Sequence, residues 1–342
     1  MKALIMAGGK GTRLLEITKD EIPKPMAKIC GKPVLERTVE SLKRYGVDEI
    51  FMAVGHLHEK IEEYFKDGSD FGVKINYIVE NEPLGSAGAL YYLKGKVDGD
   101  FIVCSGDTLF DINITKMLEF HKQKHAVATL LVRASNHPFD SDLLVCDEDN
   151  RICAIDKKNN VRDYYYHNIA NAGFFIINSS ALSYFKELKK VGMEHDFIAG
   201  LIANNQKVVG YYSSEYIRDV GTPERFSKGE QDLISGRTRA RNYDNKQKAI
   251  FLDRDGVINK YKGFIKSADD IEIIDGVCEA ISKINQSEYL AIIVSNQPVL
   301  ARGECSKEEL ENTFKKIENS FYSMIESECK TNKGFGREGG GY

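Results

Sequence analysis

The chain has 342 residues, of which 42% are hydrophobic, and its formal net charge is −4 at pH 7. This length exceeds an average domain of roughly 100–200 residues and therefore predicts two domains. The acidic balance gives no overall attraction to nucleic acid, and no apolar run approaches the roughly 20 residues that a membrane span needs.

The N-terminus and the cysteines bear on the cellular compartment. Met1 and Lys2 precede a short apolar run that has no cleavage pattern of a signal peptide. The seven cysteines are odd in number and include no CxxC pair, which favours reduced thiols over a disulfide framework. We therefore expect a cytoplasmic protein with neither membrane nor nucleic-acid partners.

The first third of the chain alternates short apolar runs with helical patterns. Strands are predicted at residues 2–7, 49–55, 74–79 and 101–104. Helices are predicted at residues 35–46, 58–65 and 86–94. This alternation is typical of an α/β fold with a mainly parallel sheet. Ligands of such sheets bind beyond the carboxyl ends of strands, where Gly8-Gly9 and Asp107 both fall.

Strands outnumber helices after about residue 126. Further strands are predicted at residues 126–133, 152–156, 173–178 and 208–212, followed by a helix at 223–234. Residues 235–248 are polar and basic, which indicates a solvated linker. Beyond it, strands are predicted at 249–252 and 289–294, and helices at 276–285 and 306–328. The predicted domains are therefore 1–234 and 249–342.

A glycine-rich loop follows the first strand, in the sequence LIMAGGKGTRL over residues 4–14. It lacks the Lys-Ser/Thr pair of a P-loop and the third glycine of a dinucleotide fingerprint. Gly8, Gly9 and Gly11 nevertheless allow backbone N–H groups to approach phosphate oxygens, and Arg13 offers a planar fork that matches a phosphate. A tight turn with a surface arginine explains the loop equally well.

Four later segments also contain residues suited to binding parts of a nucleotide or a metal ion. Two prolines rigidify the chain around Lys24, and the small residues at 83–90 leave room for a flat base. Asp107 follows a strand end and suits Mg²⁺, which prefers oxygen ligands. Asp219, in YIRDVGTP, could supply a second carboxylate. Each of these segments alone is also compatible with an ordinary loop, turn or cap.

In order and spacing, these residues resemble the sugar-1-phosphate nucleotidyltransferase family over about residues 1–232. The resemblance implies a Rossmann-like domain with a mixed, mainly parallel sheet, Mg²⁺ as cofactor, and a nucleoside triphosphate and a sugar 1-phosphate as partners. It leaves a homo-oligomer open. The implied nucleotide-binding residues are Ala7, Gly8, Gly9, Gly11, Thr12, Arg13, Glu80, Gly85 and Ser86.

The same resemblance assigns metal and sugar contacts. It implies Asp107 and Asp219 as metal ligands, and Asp156, Lys157 and Asn171 as substrate-binding residues. Asp156 replaces the more usual glutamate, and Ser86 a more usual threonine.

The implied reaction is an in-line displacement in which a sugar-phosphate oxygen attacks the α-phosphorus and pyrophosphate leaves. It needs alignment and charge neutralisation rather than a general base. The resemblance implies that Arg13, Lys24 and Asp107 are catalytic.

A second motif, IFLDRDGVIN, occupies residues 250–259. Asp253 can attack phosphorus and Asp255 can protonate the leaving oxygen, while Ser295 and Asn296, after a later strand, can bind the phosphoryl group. A calcium-like turn or a solvated loop is the alternative. Residues 248–340 resemble the haloacid dehalogenase superfamily, which implies a partial Rossmannoid domain with Asp253 and Asp255 also holding the metal.

Within that superfamily the segment resembles the branch of heptose-bisphosphate and histidinol-phosphate phosphatases, and the phosphatases of D,D-heptose 1,7-bisphosphate in particular. Their lysine motif and late acidic motif are not recognisable, so we expect negligible phosphatase activity. By analogy with such a fusion, GTP and D-glycero-D-manno-heptose 1-phosphate are the favoured substrates of the first domain. Two alternatives stay open, namely a sugar-bisphosphate phosphatase with a non-catalytic nucleotide-sugar-binding N-terminal domain, and a regulatory protein that binds sugar nucleotides without turnover.

Overall fold

A computed structural model of the chain describes residues 1–9, 11–135 and 137–333. By their contacts these residues form two compact units. The first unit comprises Met1–Arg133, Val145–Ile155 and Asn171–Asn245. The second comprises the described residues of Ala134–Leu144 and Asp156–Ala170, together with residues 246–333. Both units are thus built from separate stretches of sequence.

Fifteen strands lie within the described ranges. In chain order they are β1 (Lys2–Ala7), β2 (Lys28–Ile29), β3 (Lys32–Pro33), β4 (Glu49–Val54), β5 (Lys74–Val79), β6 (Asp100–Ser105), β7 (Thr108–Asp111), β8 (Ala128–Arg133), β9 (Leu143–Cys146), β10 (Ile152–Asp156), β11 (Ala170–Asn178), β12 (Val208–Tyr212), β13 (Tyr216–Asp219), β14 (Lys248–Asp253) and β15 (Tyr289–Val294).

Ten α-helices accompany them. In chain order they are α1 (Leu15–Thr18), α2 (Val34–Arg44), α3 (His58–Phe65), α4 (Ile114–Gln123), α5 (Ala199–Ala203), α6 (Pro223–Ile234), α7 (Arg237–Ala240), α8 (Val277–Gln286), α9 (Pro298–Ala301) and α10 (Lys307–Lys333). None of the helices in the described ranges is long and apolar enough to cross a membrane.

The first unit contains a seven-stranded sheet in the order β12-β8-β11-β6-β1-β4-β5. Strand β1 pairs in parallel with β4 and β6, whereas β11 runs antiparallel to β6. The predicted mixed, mainly parallel sheet is therefore confirmed. The apolar run of β1 places Ala3 and Ile5 in a core with Leu35, Val39 and Leu42 of α2. The spacing of these α2 residues is that of one helix face, as predicted from the sequence.

The predicted helix at residues 86–94 is shorter than expected, since only Gly88–Leu93 are helical, as a 3-10 helix. Ahead of it the chain pairs with another segment: Val191 N–H donates to Leu84 O at 2.9 Å, and Ala87 N–H to Val191 O at 2.9 Å. Gly85 has φ +78°, and a Cβ there would lie 2.6 Å from Val191 O. These long-range hydrogen bonds compete with helix formation, and local sequence does not reveal them.

Residues 235–248 differ from the expected solvated linker. The segment contains α7, and Asn242 is fully buried while Arg241 is 6% exposed. Asn242 Nδ2 donates to Asp111 Oδ1 at 2.7 Å, and Tyr243 N–H donates to Glu215 Oε1 at 2.8 Å. Polar groups of this segment thus form hydrogen bonds with the rest of the first unit, which extends to Asn245.

The second unit has a two-stranded parallel sheet of β14 and β15. Its apolar cluster combines Ile258, Ile265, Ile271 and Cys278 with Ile317 of α10. The sheet itself is open to solvent, since Phe251 is 69% and Val294 53% exposed.

Helix α10 begins at a reciprocal cap in the second unit. Glu309 N–H donates to Ser306 Oγ at 3.1 Å, and Ser306 N–H donates to Glu309 Oε2 at 2.7 Å. This reciprocal pair of hydrogen bonds is a capping box at the start of the helix.

Candidate active site

The carboxyl ends of β1 and β6 lie side by side in the first unit. Met6 is in register with Ser105, and Gly106 N–H donates to Met6 O at 2.9 Å. The chain therefore brings Gly8-Gly9 and Asp107 to the same edge of the sheet, as predicted. A cavity of about 390 Å³ opens there, and its lining includes Lys24, Glu80, Ser86, Asn171 and Glu194.

Lys24 is held among carboxylates at this edge. It begins a short 3-10 turn (Lys24–Met26) after Pro23, and its side chain is 10% exposed. The ammonium group contacts the Asp107 carboxylate and lies 3.8 Å from Asp219 Oδ1. The other Asp219 oxygen pairs with Arg225 Nη1 at 2.8 Å. The two carboxylates thus share one lysine cation.

Two glycines leave space for this lysine. A Cβ on Gly221 would lie 2.2 Å from Lys24 Nζ and 2.7 Å from Asp219 Oδ1. A Cβ on Gly11 would lie 2.8 Å from Lys24 Cβ, and Gly11 has φ +65°, a conformation that favours glycine. Gly221 N–H also donates to Asp219 Oδ1 at 2.7 Å, which orients that carboxylate.

The donor set at this edge fits a divalent metal ion. Asp107 and Asp219 converge on a single positive charge, and both offer hard oxygen ligands. Among the described residues no group of three or more His, Cys, Asp or Glu side chains could hold a metal. Mg²⁺ is commonly held by one or two carboxylates together with substrate phosphates, so a pair of aspartates suffices.

Glu80 lies beside Gly8 of the glycine loop. Its Oε2 accepts a long hydrogen bond of 3.4 Å from Leu84 N–H and lies 3.3 Å from where a Gly8 Cβ would be. Burial raises the pKa of the Glu80 carboxyl, which the Leu84 hydrogen bond offsets only in part. Gly8 also approaches Gly55 closely, since a Cβ on Gly55 would lie 2.8 Å from Gly8 O.

Asn171 and Ser86 both take part in hydrogen bonds inside the cavity lining. Asn171 Nδ2 donates to Glu194 Oε1 at 2.7 Å, and Gly173 N–H donates to Asn171 Oδ1 at 3.1 Å. Ser86 Oγ accepts from Met193 N–H at 2.8 Å. These two predicted residues are therefore close to Glu194, which no sequence motif had indicated.

Thr12 and Arg13 lie just after the glycine loop, in a 3-10 turn that ends at Leu14. Both side chains are exposed, and neither is among the residues that line the cavity. Ala7, Gly8, Gly9 and Gly85 do line it. The structure thus brings together most of the predicted nucleotide residues and leaves Arg13 facing solvent.

Asp156 and Lys157 belong to the second unit. The Asp156 carboxylate is 8% exposed and accepts hydrogen bonds from Asn160, Arg162 and Tyr164, with Arg162 Nε at 2.6 Å. Burial raises the pKa of Asp156, but these donors outweigh it and hold the pKa below its usual range. Asp156 is therefore already engaged with its own neighbours.

The second acidic motif surrounds the ends of β14 and β15. Asp255 pairs with the fully buried Arg254, whose Nη2 lies 2.9 Å from Asp255 Oδ1. Gln297 Nε2 donates to Asp255 Oδ2 at 2.8 Å and to Ser295 Oγ at 2.6 Å, which joins the two strand ends. Asp253 is exposed and accepts from Arg254 N–H at 2.7 Å. Asn296 follows Ser295 and is exposed.

Glu194, Gly221 and Arg225 contribute to the site but were missed from the sequence. Gly221 stands two residues after Asp219, so the spacing could have indicated its role. Arg225 stands six residues after Asp219, in the first turn of α6. Glu194 reaches the cavity only because residues 191–193 pair with 84–87, and no local pattern reveals that pairing.

Known proteins resemble about two thirds of this chain. The family described as nucleotidyl transferase matches residues 2–236. A mannose-1-phosphate guanylyltransferase of Mycobacterium tuberculosis is 31% identical over 68% of this chain, which spans 65% of that relative's length. A D-glycero-alpha-D-manno-heptose 1-phosphate guanylyltransferase of Aneurinibacillus thermoaerophilus is 33% identical over 68% of this chain and 98% of its own.

Solved structures share the fold. HddC from Yersinia pseudotuberculosis complexed with GMP-PN has a TM-score of 0.57 at 27% identity, over 68% of this chain and 99% of that one. UDP-glucose pyrophosphorylase complexed with UDP-glucose has a TM-score of 0.58 at 18% identity, over 69% of this chain and 98% of that one, which bears on the fold alone. With the family match extending over residues 2–236, the chain belongs to the nucleotidyl transferase family.

Proposed function

We propose that the chain transfers GMP from GTP to a sugar 1-phosphate and releases pyrophosphate. The observation that carries the choice of base is the half-buried Glu80 carboxylate in the cavity lining. An ionised carboxylate only accepts hydrogen bonds, and guanine offers adjacent N1–H and N2–H₂ donors on one edge. Uracil and thymine flank their single N–H with carbonyl oxygens, so those bases would oppose acceptors to the carboxylate.

The remaining side chains align phosphates and neutralise their charge. Backbone N–H groups of Gly8 and Gly9 would face the triphosphate, and Lys24 would bind the attacking or α-phosphate. Arg13, which is exposed, would balance charge on the β- and γ-phosphates. Mg²⁺ held by Asp107 and Asp219 would supply further charge neutralisation at the reacting phosphates. The attacking oxygen is already ionised at neutral pH, so the chain need not supply a base.

We propose D-glycero-D-manno-heptose 1-phosphate as the acceptor. Two relatives named as guanylyltransferases of this sugar phosphate, from Aneurinibacillus thermoaerophilus and Campylobacter jejuni, are each 33% identical, and the chain spans 98% and 97% of their lengths. By contrast, the chain spans only 65% of the length of the mannose-1-phosphate guanylyltransferase of Mycobacterium tuberculosis. The role of Lys157 in holding the sugar phosphate stays a prediction.

A substrate matrix tests this proposal. GTP, ATP, CTP, UTP and dTTP are each combined with heptose, mannose and glucose 1-phosphates, and pyrophosphate release is measured with and without Mg²⁺. We expect release that needs both substrates and the metal, with the highest kcat/KM for GTP and the heptose phosphate. Equal rates without any sugar phosphate, or a preference for UTP, would contradict the proposal.

We further propose that the second unit is related to haloacid dehalogenase phosphatases of D,D-heptose 1,7-bisphosphate. The supporting observation is the Gln297 amide that joins Asp255 and Ser295 at neighbouring strand ends. Burial raises the pKa of Asp255, but hydrogen bonds from Asn259, Gln297 and Arg254 outweigh it and keep the pKa below its usual range. A lowered pKa weakens a general acid, so we expect negligible turnover.

Phosphate release from D,D-heptose 1,7-bisphosphate measures this directly. The 342-residue chain and its Asp253→Asn variant should give the same background rate. Robust release that vanishes in Asp253→Asn would show an active phosphatase. If pyrophosphate release were absent at the same time, the alternative of a phosphatase with a non-catalytic first domain would be favoured.

A further inference from the structure

The Asn171 amide in the cavity lining has a partner at each end. Its Nδ2 donates to Glu194 Oε1 at 2.7 Å, and its Oδ1 accepts from Gly173 N–H at 3.1 Å. Asn171 therefore serves first to orient Glu194. The group that it leaves available to a ligand is the Glu194 carboxylate, which also lines the cavity. Glu194 Oε2 accepts no hydrogen bond from the residues that the structure describes.

The backbone around Glu194 is held firmly. It is the second residue of a π-helix, Met193–Ile198, a rare element that is frequent at functional sites. Met193 N–H donates to Ser86 Oγ at 2.8 Å, and Gly192 N–H donates to Asp196 Oδ2 at 2.6 Å. The carboxylate is thus fixed both through its backbone and through Asn171, as a preorganised binding group requires.

The chemistry of a carboxylate restricts what it can bind here. Glu194 repels phosphates, so a neutral donor-bearing part of a substrate must face it. Vicinal hydroxyl groups meet this need, because both can donate to one ionised carboxylate. Two parts of the substrates carry such hydroxyls, the sugar ring and the ribose. We favour the sugar ring because Glu80, the carboxylate to which we assign the base, is separate from Glu194.

We propose that Glu194 binds hydroxyl groups of the sugar ring in the sugar 1-phosphate, and that Asn171 is its positioning residue. This inference rests on the proposed transferase function. The sequence resemblance implied Asp156, Lys157 and Asn171 as substrate-binding residues, and this proposal adds the Glu194 carboxylate and gives Asn171 a positioning role.

Steady-state kinetics of Glu194→Ala and Glu194→Gln test the assignment. A hydrogen bond to a charged group implies a rise of about 10- to 100-fold in KM for the sugar 1-phosphate in Glu194→Ala. The KM for GTP should change less than about twofold, and Glu194→Gln should be intermediate. Asn171→Asp, which places a like charge beside Glu194, should raise the same KM. Glu187→Ala, which removes an exposed carboxylate from the same region, is the matched control.

Deoxy substrates identify the bonded hydroxyl. Wild-type protein should lose about tenfold in kcat/KM when the contacted sugar hydroxyl is removed, whereas Glu194→Ala should lose nothing more. If only 2′- or 3′-deoxy-GTP showed this pattern, the carboxylate would bind ribose and the assignment would be overturned. It would also be overturned if Glu194→Ala left both KM values unchanged. Failure of the proposed function is distinguishable, because the wild type itself would then release no pyrophosphate.

Discussion

Each unit has an aspartate just after the end of a β-strand, and the cation that neutralises this aspartate has a different origin in each unit. In the first unit, the cation that contacts Asp107 is Lys24, which comes from a distant turn and also faces Asp219. In the second unit, Asp255 is neutralised by its immediate neighbour Arg254, which is fully buried. A lysine ammonium on a flexible stem can be exchanged for another cation, whereas a buried guanidinium bonded bidentately is a fixed part of the fold.

This difference distinguishes an ion pair that stabilises the fold from one that belongs to a ligand-binding site. A buried charge must be paired, so Arg254 and Asp255 depend on each other for stability. The first site instead places its lysine beside glycines and in the lining of an open cavity, where a ligand can replace one of its contacts. We therefore expect substitutions at Asp255 to affect stability and those at Asp107 to affect turnover.

The largest effect should follow from Asp255→Asn. It leaves the fully buried Arg254 guanidinium without its carboxylate, and a buried charge left without its partner costs about 3 kcal/mol or more. Urea unfolding followed by circular dichroism should show a transition at lower denaturant that Asp253→Asn, at an exposed position, does not share. Equal stability of both variants would contradict the contrast between the two strand ends.

Asp107→Asn should leave stability nearly unchanged and lower kcat at least about 100-fold, because transition-state electrostatic groups contribute that much. Pyrophosphate release measures the change. Asp149→Asn serves as the control, since that carboxylate is 88% exposed in the same unit. Unchanged turnover in Asp107→Asn would contradict the metal assignment.

Glu80→Gln should lower kcat/KM for GTP about 10- to 100-fold, since a good pair of base contacts is worth ~1–3 kcal/mol of discrimination. The wild-type KM for GTP should also rise as pH falls, because burial raises the pKa of Glu80 and the protonated form accepts less well. In Glu80→Gln this pH dependence should disappear. A pH profile shared by both proteins would exclude Glu80 as the group responsible.

Gly221→Ala should lower kcat about tenfold. The added Cβ would lie 2.2 Å from Lys24 Nζ and would therefore displace the ammonium group. The fold should persist, since the displaced atom is the end of a flexible side chain. Glu224→Ala, an exposed neighbour, is the control. If Gly221→Ala were fully active, the position of Lys24 would not matter for turnover.

The smallest effect concerns His167 in the second unit, which contacts Glu318 at 3.3 Å and Glu311 at 2.6 Å on α10. The hydrogen bond with Glu318 raises the pKa of His167 despite burial. A raised pKa stabilises the folded state below the unfolded pKa of about 6.5, and this contribution is lost as pH rises through the folded pKa. His167→Gln should therefore lower the free energy of unfolding at pH 6 by less than about 1 kcal/mol, measured as a lower Tm, and the part of this loss that depends on protonation should vanish at pH 9.

Much of the first site could be predicted because its signals are local. The apolar runs of β1 and β6 end at Gly8-Gly9 and Asp107, and parallel pairing brings such ends together. The part that could not be predicted depends on long-range pairing. The segment at 191–193 pairs with 84–87, which shortens one helix and brings Glu194 to the cavity. The polar composition of residues 235–248 likewise gave no sign that Asn242 is buried.

Because the second unit is discontinuous in sequence, it constrains how the chain folds during synthesis and where the chain can be truncated. Helix α10 bonds to residues 166–168: Asn319 Nδ2 donates to Tyr166 O at 2.9 Å, and Asn168 N–H donates to Glu318 Oε2 at 3.2 Å. During synthesis, residues 156–170 must wait until α10 emerges from the ribosome before they reach these partners. A fragment that begins at residue 246 would lack residues 166–168 altogether, so the second unit cannot be expressed as that fragment alone. Fusion or truncation boundaries should therefore keep residues 134–170 and α10 in one polypeptide.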